Sequence, residues 1–280
     1  MDYEIRPLQL RLLKILQAVD AMCREHNLRY YIIAGTLLGA VRHGGFIPWD
    51  DDLDIGMPRP DYDLLRANWR KWLPKHLEFI DPENDPDYPF PFGKIQDADT
   101  TLIESKHFGY LGGVYIDVFP LDGMTDSAPA RRSHFARYKF FRRALYLIYR
   151  DPYRHGRGPS SWFPLLTRRL FTRAGLHAKL QRIFREYPYE ESPSVVEHDN
   201  GARGVLPKSW VEPARDILFE GLPFKTFAEP EKYLAYTYGD YMTLPPADRR
   251  KQHRFYRLDL DHPYRGVKSG EGEKSEEGEK

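Results

Sequence analysis

Apolar side chains recur at intervals of three and four through the first part of the chain, which is the spacing of one face of an amphipathic helix. This helix is predicted to end near Asn27, because asparagine tolerates the left-handed conformation of a C-terminal cap. The run YYIIAG (30–35) then predicts a short buried strand, and GTLLGAVR (35–42) predicts a short helix after a tight turn. The apolar positions of the first helix are Leu8, Leu12, Ile15, Leu16, Val19, Met22 and Cys23.

The next segments change to a period of two. Leu53, Ile55 and Met57 alternate with acids, and this predicts a strand from Asp52 to Met57 with one apolar and one acidic face. Further along, GVYIDVFPLDGM (113–124) predicts a third strand that alternates around Asp117. The other predicted elements are a helix at 60–73, a strand-like segment at 93–104, helices between about 130 and 187, a hairpin at 217–227 and a helix at 230–239.

The composition is that of a globular protein and assigns no class of partner. Hydrophobic residues make up 41% and charged residues 30% of the 280 positions, and the formal net charge is +1. A single cysteine, Cys23, excludes an internal disulfide and fits a reducing compartment. The charged N-terminus MDYEIRPLQL lacks the apolar core of a signal peptide, and no stretch reaches the ~20 apolar residues of a membrane span. We therefore expect a cytoplasmic protein.

Four carboxylates, Asp50, Asp51, Asp52 and Asp54, lie within five positions, where like charges repel one another. A solvated loop explains the charge but not the alternating apolar residues. An EF-hand calcium loop is excluded, because its sixth position requires glycine and is isoleucine here, and its twelfth requires glutamate and is aspartate. The third interpretation is a divalent-metal site for phosphate chemistry. On a strand, Asp52 and Asp54 would point to the same side, roughly 6.5–7 Å apart, and Mg²⁺ needs only one or two protein carboxylates.

Three features of the context favour the metal site. Gly35 and Thr36 stand between a strand and a helix, where small residues let the backbone approach a phosphate and the helix N-terminus offers free N–H groups. Asp117 interrupts an otherwise apolar strand and is expected to face the same site. Asp50 shares the alternation of the acidic face, so it is included among the predicted metal ligands.

The order strand, Gly-Thr, helix, D-x-D strand and later isolated aspartate resembles the nucleotidyltransferase fold of the DNA polymerase β type. A closer resemblance is to the LicD family, which is related to the fukutin group. It rests on three blocks that occur in order: AGTLLGAVRHGGFIPWDDDLDIGMPRPDY (34–62), YIDVFPLDGM (115–124) and YLAYTYGDYMTLPPADRRKQH (233–253). The resemblance implies an α/β (α+β) fold, with a nucleotidyltransferase-like mixed sheet flanked by helices and a helical insertion in the second half.

The resemblance also implies an activity. It is the transfer of a substituted phosphate, such as phosphocholine, from a CDP-linked donor to a sugar hydroxyl of a cell-surface glycan or its lipid-linked precursor, with release of CMP. Lipopolysaccharide, teichoic acid and capsule are glycans of this kind. By the same resemblance Asp52 and Asp54 would hold Mg²⁺ or Mn²⁺, and Asp117 would complete the catalytic site. Two alternatives stay open: a nucleotidyltransferase acting on a small molecule or protein, and a non-catalytic binding protein on the same fold.

Five further residues are predicted to contact substrate. Arg42 and His43 lie in the first matching block, although cations are also favoured at a helix C-terminus for structural reasons. Lys94 lies on a strand among apolar residues and can neutralise phosphate; the alternative is an edge-strand lysine. Arg250 and His253 lie in the C-terminal block, where they either close over the donor phosphates or cap the last helix.

The second half contains a stretch rich in basic and aromatic residues. Residues 131–173 contain 12 Lys/Arg, one acid and ten aromatic side chains. Such a segment either lies on an anionic bilayer, here the inner face of a membrane, or forms a helical subdomain with an aromatic core; no recognition motif supports nucleic acid as a partner. The predicted parts of the chain are a catalytic core at 1–128, this helical segment at 129–190, the C-terminal part of the same domain at 191–262, and a disordered acidic tail at 263–280.

Overall fold

The chain begins with a long amphipathic helix, as its apolar spacing predicts. The computed structural model describes residues 3–104, 111–153, 157–250, 252–253 and 255–266. Within these ranges the helices are α1 Ile5–Glu25, α2 Ala34–His43, α3 Arg59–Trp72, α4 Ala128–Tyr149, α5 Pro159–Leu170, α6 Arg173–Phe184, α7 Lys208–Val211 and α8 Pro230–Tyr238. The strands are β1 Tyr31–Ile32, β2 Asp54–Pro58, β3 Leu77–Ile80, β4 Gly93–Ile103, β5 Gly112–Met124, β6 Ser194–Glu197, β7 Val205–Pro207, β8 Arg215–Phe219, β9 Leu222–Thr226 and β10 Arg257–Asp259.

A mixed sheet with helices around it forms the centre of the fold, so the predicted α/β class is confirmed. Its strand order is β1-β2-β5-β4-β10, while β3 pairs with β4, β6 with β5, and β7 with β6. Strands β2 and β5 run parallel, and the other pairs of this sheet run antiparallel. A parallel pair needs a long crossover connection, which α3, β3 and β4 supply. The register of this pair sets Asp54 directly opposite Asp117.

Local signals in the sequence correctly predict the ends of several elements. Helix α1 buries its apolar stripe, with Leu8 and Leu16 fully buried, and Asn27 follows it with a left-handed φ of 55°. The hairpin of β8 and β9 turns where predicted. Glu220 and Gly221 both have positive φ, 53° and 76°, as a two-residue turn of the mirror-image type requires. Short-range chemistry is sufficient at these positions because the turn residues themselves impose the backbone angles.

The acidic strand begins two residues later than predicted. The expected range was Asp52 to Met57, whereas β2 runs from Asp54 to Pro58. Before the strand, the backbone groups have loop and helix partners: the Asp50 N–H donates to the Ile47 carbonyl over 2.9 Å, and the Gln9 side chain donates to the Asp50 carbonyl over 2.9 Å. The alternation argument that grouped Asp50 and Asp52 with Asp54 on one strand face was therefore wrong.

The segment after β5 forms a second, smaller hydrophobic cluster. Helices α4, α5 and α6 lie within this segment, and Phe135, Leu145, Leu180 and Phe184 pack there with Met124 of β5. The chain beyond 191 returns to the central sheet as β6, β7 and β10. The division of the chain into four parts stays a prediction, and the expected disordered tail lies outside the described residues from 267 onward. Among the described helices, none combines the length and apolarity that a membrane crossing requires.

Candidate active site

Two aspartates from different strands are neighbours across the parallel pair. Asp54 begins β2, Asp117 lies within β5, and the two are register partners, so their backbones are about 4.8 Å apart. Hydrogen bonds at this point hold the register. The Asp117 N–H donates to the Leu53 carbonyl over 2.9 Å, and the Ile33 N–H donates to the Asp54 carbonyl over 3.1 Å. The fold thus brings together two acids that are 63 positions apart in sequence.

The Asp117 carboxylate lacks part of the hydrogen bonding it needs. Its Oδ1 is buried and accepts no hydrogen bond from the described residues, and Lys94 Nζ lies 3.7 Å from it, beyond hydrogen-bond distance. Burial raises the pKa of Asp117 to about 7, with Lys94 opposing and Glu104 and Asp52 adding to the rise. Burial and the neighbouring carboxylates also raise the pKa of Asp54 well above its ordinary value. Without a cation, these charges repel one another.

Asp50 lies against the N-terminal end of α2. A Cβ built on Gly35 would lie 2.9 Å from Asp50 Oδ2, so any larger residue would displace this carboxylate from its present position. Burial, with the charge of Asp52, raises the pKa of Asp50 to about 8. The Thr36 hydroxyl accepts a hydrogen bond from the Asp54 N–H over 2.9 Å, which ties α2 to the start of β2. Gly35 and Thr36 therefore position carboxylates; their predicted contact with a phosphate stays a prediction.

Asp51 is held by residues from both ends of the chain. Its side chain is buried and accepts hydrogen bonds from the Tyr3 hydroxyl, from the His253 N–H over 2.7 Å and from His253 Nδ1 over 2.6 Å. Burial acts to raise the pKa of Asp51, but these hydrogen bonds outweigh it and lower the pKa. The same contact raises the pKa of His253 to about 9. The C-terminal block is thereby attached beside the acidic run, and its histidine is a charged partner of Asp51.

Lys94 is a buried residue of the sheet interior, so the edge-strand alternative was wrong. It is the register partner of Asp117, and β4 has neighbouring strands on both sides. Its ammonium group donates to Glu104 Oε1 over 2.5 Å and lies 3.3 Å from the centre of the Tyr115 ring. Lys94 therefore places a positive charge next to the carboxylates, where a phosphate would also be attracted.

A second cationic group adjoins Asp50. The Arg42 guanidinium donates to a backbone carbonyl of the C-terminal block over 2.9 Å, and the Arg250 guanidinium lies 4.9 Å from the centre of the Trp49 ring. Burial and the charge of Arg250 lower the pKa of Arg42, while Asp50 opposes this. Burial and Arg42 likewise lower the pKa of His43. Guanidinium groups that repel each other form a place where a bound anion is favourable.

Two cavities have these carboxylates in their walls. Asp54 lines the larger, of about 570 Å³, and Asp52, Asp117 and Lys94 line the smaller, of about 340 Å³. The larger cavity is further lined by acids, a cation and aromatic rings: Glu197, Asp199, Arg203, Phe119, Phe227, Tyr233, Tyr236 and Tyr238. The smaller is further lined by Asp51, Glu104, His253, Phe90, Phe92, Tyr115 and Phe255. Two cavities, each lined by a member of one group of neighbouring carboxylates, suit a reaction between two substrates.

The carboxylates fit a divalent cation that prefers oxygen ligands. Over the described ranges, no three His, Cys, Asp or Glu side chains are grouped as a complete set of metal ligands. Mg²⁺ does not require one, because water and substrate phosphate complete its coordination. Asp54 and Asp117 supply oxygen donors, and one of these oxygens, Asp117 Oδ1, is buried and accepts no hydrogen bond from the part of the chain that the structure describes. That Asp50 and Asp52 join them as ligands stays a prediction.

Several residues of the site were not predicted from the sequence. Tyr115 shares a face of β5 with Asp117 at a spacing of two, so the strand alternation contains a signal for it. Tyr3, Glu104 and Glu197 come from remote parts of the chain and have no local pattern that would indicate the site. Their positions follow only from the way the chain packs around the sheet.

Comparison with known proteins shows which domain and which proteins the chain is similar to. Residues 27–144 match the family model described as LicD/FKTN/FKRP, nucleotidyltransferase domain. The protein is therefore one that carries a nucleotidyltransferase domain, and the match includes the acidic run and Asp117. This match and the sequence blocks agree, so the predicted resemblance to the LicD family is confirmed over these residues.

Individual relatives agree with this assignment. The chain is 28% identical over 258 residues to the lipopolysaccharide cholinephosphotransferase LicD of Haemophilus influenzae, covering 89% of this chain and 95% of that protein. It is 57% identical over 31 residues to the human ribitol 5-phosphate transferase FKRP, covering 11% of this chain and 6% of that protein. It is 48% identical over 52 residues to an uncharacterized protein of Rickettsia prowazekii. The chain is thus a homologue of phosphotransferases.

Proposed function

We propose that the protein transfers a substituted phosphate from a CDP-linked donor to a sugar hydroxyl of a cell-surface glycan or its lipid-linked precursor, releasing CMP. Phosphocholine is the first donor head group to test, because the relative that matches most of the chain is named a cholinephosphotransferase. Ribitol phosphate is the second, since FKRP is named for it. Mg²⁺ or Mn²⁺ is the proposed cofactor.

The observation that carries the proposal is the Asp54–Asp117 pair. The two acids are register partners on parallel strands, one carboxylate oxygen is buried and accepts no hydrogen bond from the described residues, and each acid lines a cavity. A protein that used the fold only as a scaffold would gain nothing from buried carboxylates that repel one another. A site that receives a divalent cation and phosphates requires them.

In this reaction the acceptor oxygen forms a bond to the phosphorus that carries the head group. The bond from that phosphorus to the bridging oxygen breaks, and CMP leaves with that oxygen and the electron pair. Asp52 and Asp54 would hold the cation, which when bound neutralises charge on the diphosphate. Asp117, whose Oδ1 accepts no hydrogen bond from the described residues, would help to hold the cation and would accept the proton of the attacking hydroxyl. Arg42 and Arg250 attract the donor diphosphate.

The test is to incubate the protein with CDP-choline or CDP-ribitol, Mg²⁺ or Mn²⁺, and a panel of purified surface glycans, measuring CMP by chromatography and the glycan product by mass spectrometry. Asp54→Asn is expected to reduce CMP release by about 10²–10⁴-fold, the range for loss of a catalytic charge. Asp216→Asn is the control, because Asp216 is an exposed acid on β8, outside the central sheet.

The products distinguish the proposal from its alternatives. A glycan that gains the head-group phosphate, with free CMP, supports it. A glycan or small molecule that gains CMP, with free phosphocholine, would show nucleotidyl transfer and overturn the choice of phosphorus. A third outcome is that the folded protein turns over no CDP-linked donor with any acceptor and that Asp54→Asn changes nothing. This outcome would favour a non-catalytic binding protein.

A further inference from the structure

Helix α5 is oriented with small and polar residues toward the protein. Its buried residues are Ser161, Pro164 and Thr167, which lie three apart on one face. Both hydroxyls are satisfied nearby: Ser161 donates to the Gly158 carbonyl over 2.7 Å, and Thr167 donates to the Phe163 carbonyl over 2.8 Å. A helix on the surface of a globular protein normally buries its apolar stripe instead.

The apolar residues of α5 face solvent. Their exposed fractions are 66% for Trp162, 69% for Phe163, 40% for Leu165, 54% for Leu166 and 64% for Leu170. We call these five residues the α5 patch. Within the described chain, none of them belongs to either hydrophobic cluster. Exposed apolar side chains grouped on one helix are typical of a surface that contacts a membrane or another molecule.

In the sequence, the charge on either side of the α5 patch is of one sign, although Arg173 and Arg185 form ion pairs with acids from other segments. From Pro152 to Arg185 the sequence contains eight lysines and arginines and no Asp or Glu. Arg168 and Arg169 lie in the last turn of α5, directly before Leu170. The Arg168 guanidinium donates to backbone carbonyls at the end of α4, and these hydrogen bonds hold it beside the patch. Apolar rings flanked by cations are the combination that helices lying on anionic membrane surfaces use.

We propose that the α5 patch inserts into the interfacial layer of a bilayer that contains anionic lipids. This inference is independent of the reaction proposed above, because it rests on residues that share no contact with the aspartates. The helix has 12 residues, which is too short to span a bilayer and long enough to lie along its surface. Trp162 and Phe163 would enter the headgroup boundary, and the arginines would contact lipid phosphates.

Charge argues for a membrane rather than for a second copy of this chain. A symmetric dimer through the α5 patch would bring Arg168 and Arg169 of the two copies toward the same interface. Like charges at an interface weaken it. A bilayer with anionic headgroups offers the opposite charge next to an apolar layer. Each cation close to such a surface strengthens binding roughly fivefold.

The test measures sedimentation of the full chain with phosphatidylcholine vesicles, with and without phosphatidylglycerol, at low and high salt. Binding is expected only with the anionic lipid and should fall as salt screens the arginines. Trp162→Ser combined with Phe163→Ser should lower partitioning about tenfold or more, since two large apolar side chains no longer enter the layer. Leu166→Ser should have a smaller effect. Its matched control is Leu64→Ser, an equally exposed leucine (50%) on α3.

Folding and self-association are checked on the same preparations. The variants should melt at the wild-type temperature, because the replaced side chains are exposed. Quenching of Trp162 fluorescence by brominated lipid, absent in Trp162→Phe, would locate the helix in the bilayer. The proposal is overturned if anionic and neutral vesicles bind equally, or if Leu64→Ser and Leu166→Ser weaken binding to the same extent. It is also overturned if vesicles do not bind and ultracentrifugation shows a dimer that the double variant dissociates.

Discussion

Replacing Asp117 by asparagine should show whether this carboxylate contributes to activity or to the stability of the fold. The matched comparison is Asp122, five residues further along the same strand β5. Asp122 is buried and accepts hydrogen bonds from the Arg59 guanidinium over 2.6 and 2.8 Å. The Oδ1 of Asp117 is also buried but accepts no hydrogen bond from the described residues. The same chemical change is therefore made at a satisfied and an unsatisfied position of one strand.

The two substitutions should have opposite effects on stability. Asp122→Asn leaves Arg59, which is 7% exposed, with only the more distant Asp63 as a counter-charge, and breaking a buried ion pair costs about 3–5 kcal/mol. For a protein of this size the melting temperature should fall by roughly 6 °C or more. Asp117→Asn removes a charge that the fold disfavours, while Lys94 keeps its bond to Glu104.

The sign of the Asp117 effect follows from its pKa. Burial raises that pKa to about 7 in the folded protein, against about 3.9 in the unfolded chain. At pH 8 the charged carboxylate therefore lowers the free energy of unfolding. This penalty decreases as the pH falls below the folded pKa and is absent below the pKa of the unfolded chain. Each pKa unit corresponds to about 1.4 kcal/mol, so the penalty is on the order of a few kcal/mol. Metal-free Asp117→Asn should melt at or above the wild-type temperature at pH 8.

The assay combines calorimetry in EDTA, calorimetry with added Mg²⁺, and CMP release. Mg²⁺ should raise the melting temperature of the wild type by binding only the folded state, and Asp117→Asn should lose this rise together with about 10²–10⁴-fold in rate. Asp122→Asn should keep the rise although it melts lower. The reasoning is refuted if Asp117→Asn melts as low as Asp122→Asn and its folded fraction stays fully active.

Three further outcomes are expected. EDTA should abolish CMP release and Mg²⁺ or Mn²⁺ should restore it; full activity in chelator would exclude a metal at the carboxylates. Gly35→Ala should reduce the rate by about 10²-fold, because the new Cβ would lie 2.9 Å from Asp50 Oδ2 and displace a site carboxylate. Gly158→Ala, where a Cβ meets nothing within 4 Å, is the control, and equal rates for the two variants would contradict this. Burial lowers the pKa of His177 to about 4, so the folded protein should lose roughly 2 kcal/mol as the pH falls from 7 to 5. His177→Gln should show a smaller fall in melting temperature between these two pH values, and an equal fall would show that other groups are responsible.

Local sequence patterns predict the elements that short-range forces determine. The 3.6-residue spacing predicts α1, Asn27 predicts its end, and Glu220–Gly221 predicts the hairpin turn. The acidic run and Asp117 also stand out in sequence, because buried strands seldom contain unpartnered acids. In each case the signal lies within a few residues, where periodicity and backbone preference act.

The amino-acid sequence by itself therefore determined the family blocks, whose resemblance implied the class of fold, and it indicated the candidate acids of the site through local pattern. Only the tertiary structure decided which acids meet. The parallel register of β2 and β5 makes Asp54 and Asp117 neighbours, and the return of the C-terminal block gives Asp51 its partner His253. It also decided that α5 presents its apolar face to solvent. The physical reason is that strand register and helix orientation depend on contacts between distant segments, which compete with local preference and can override it.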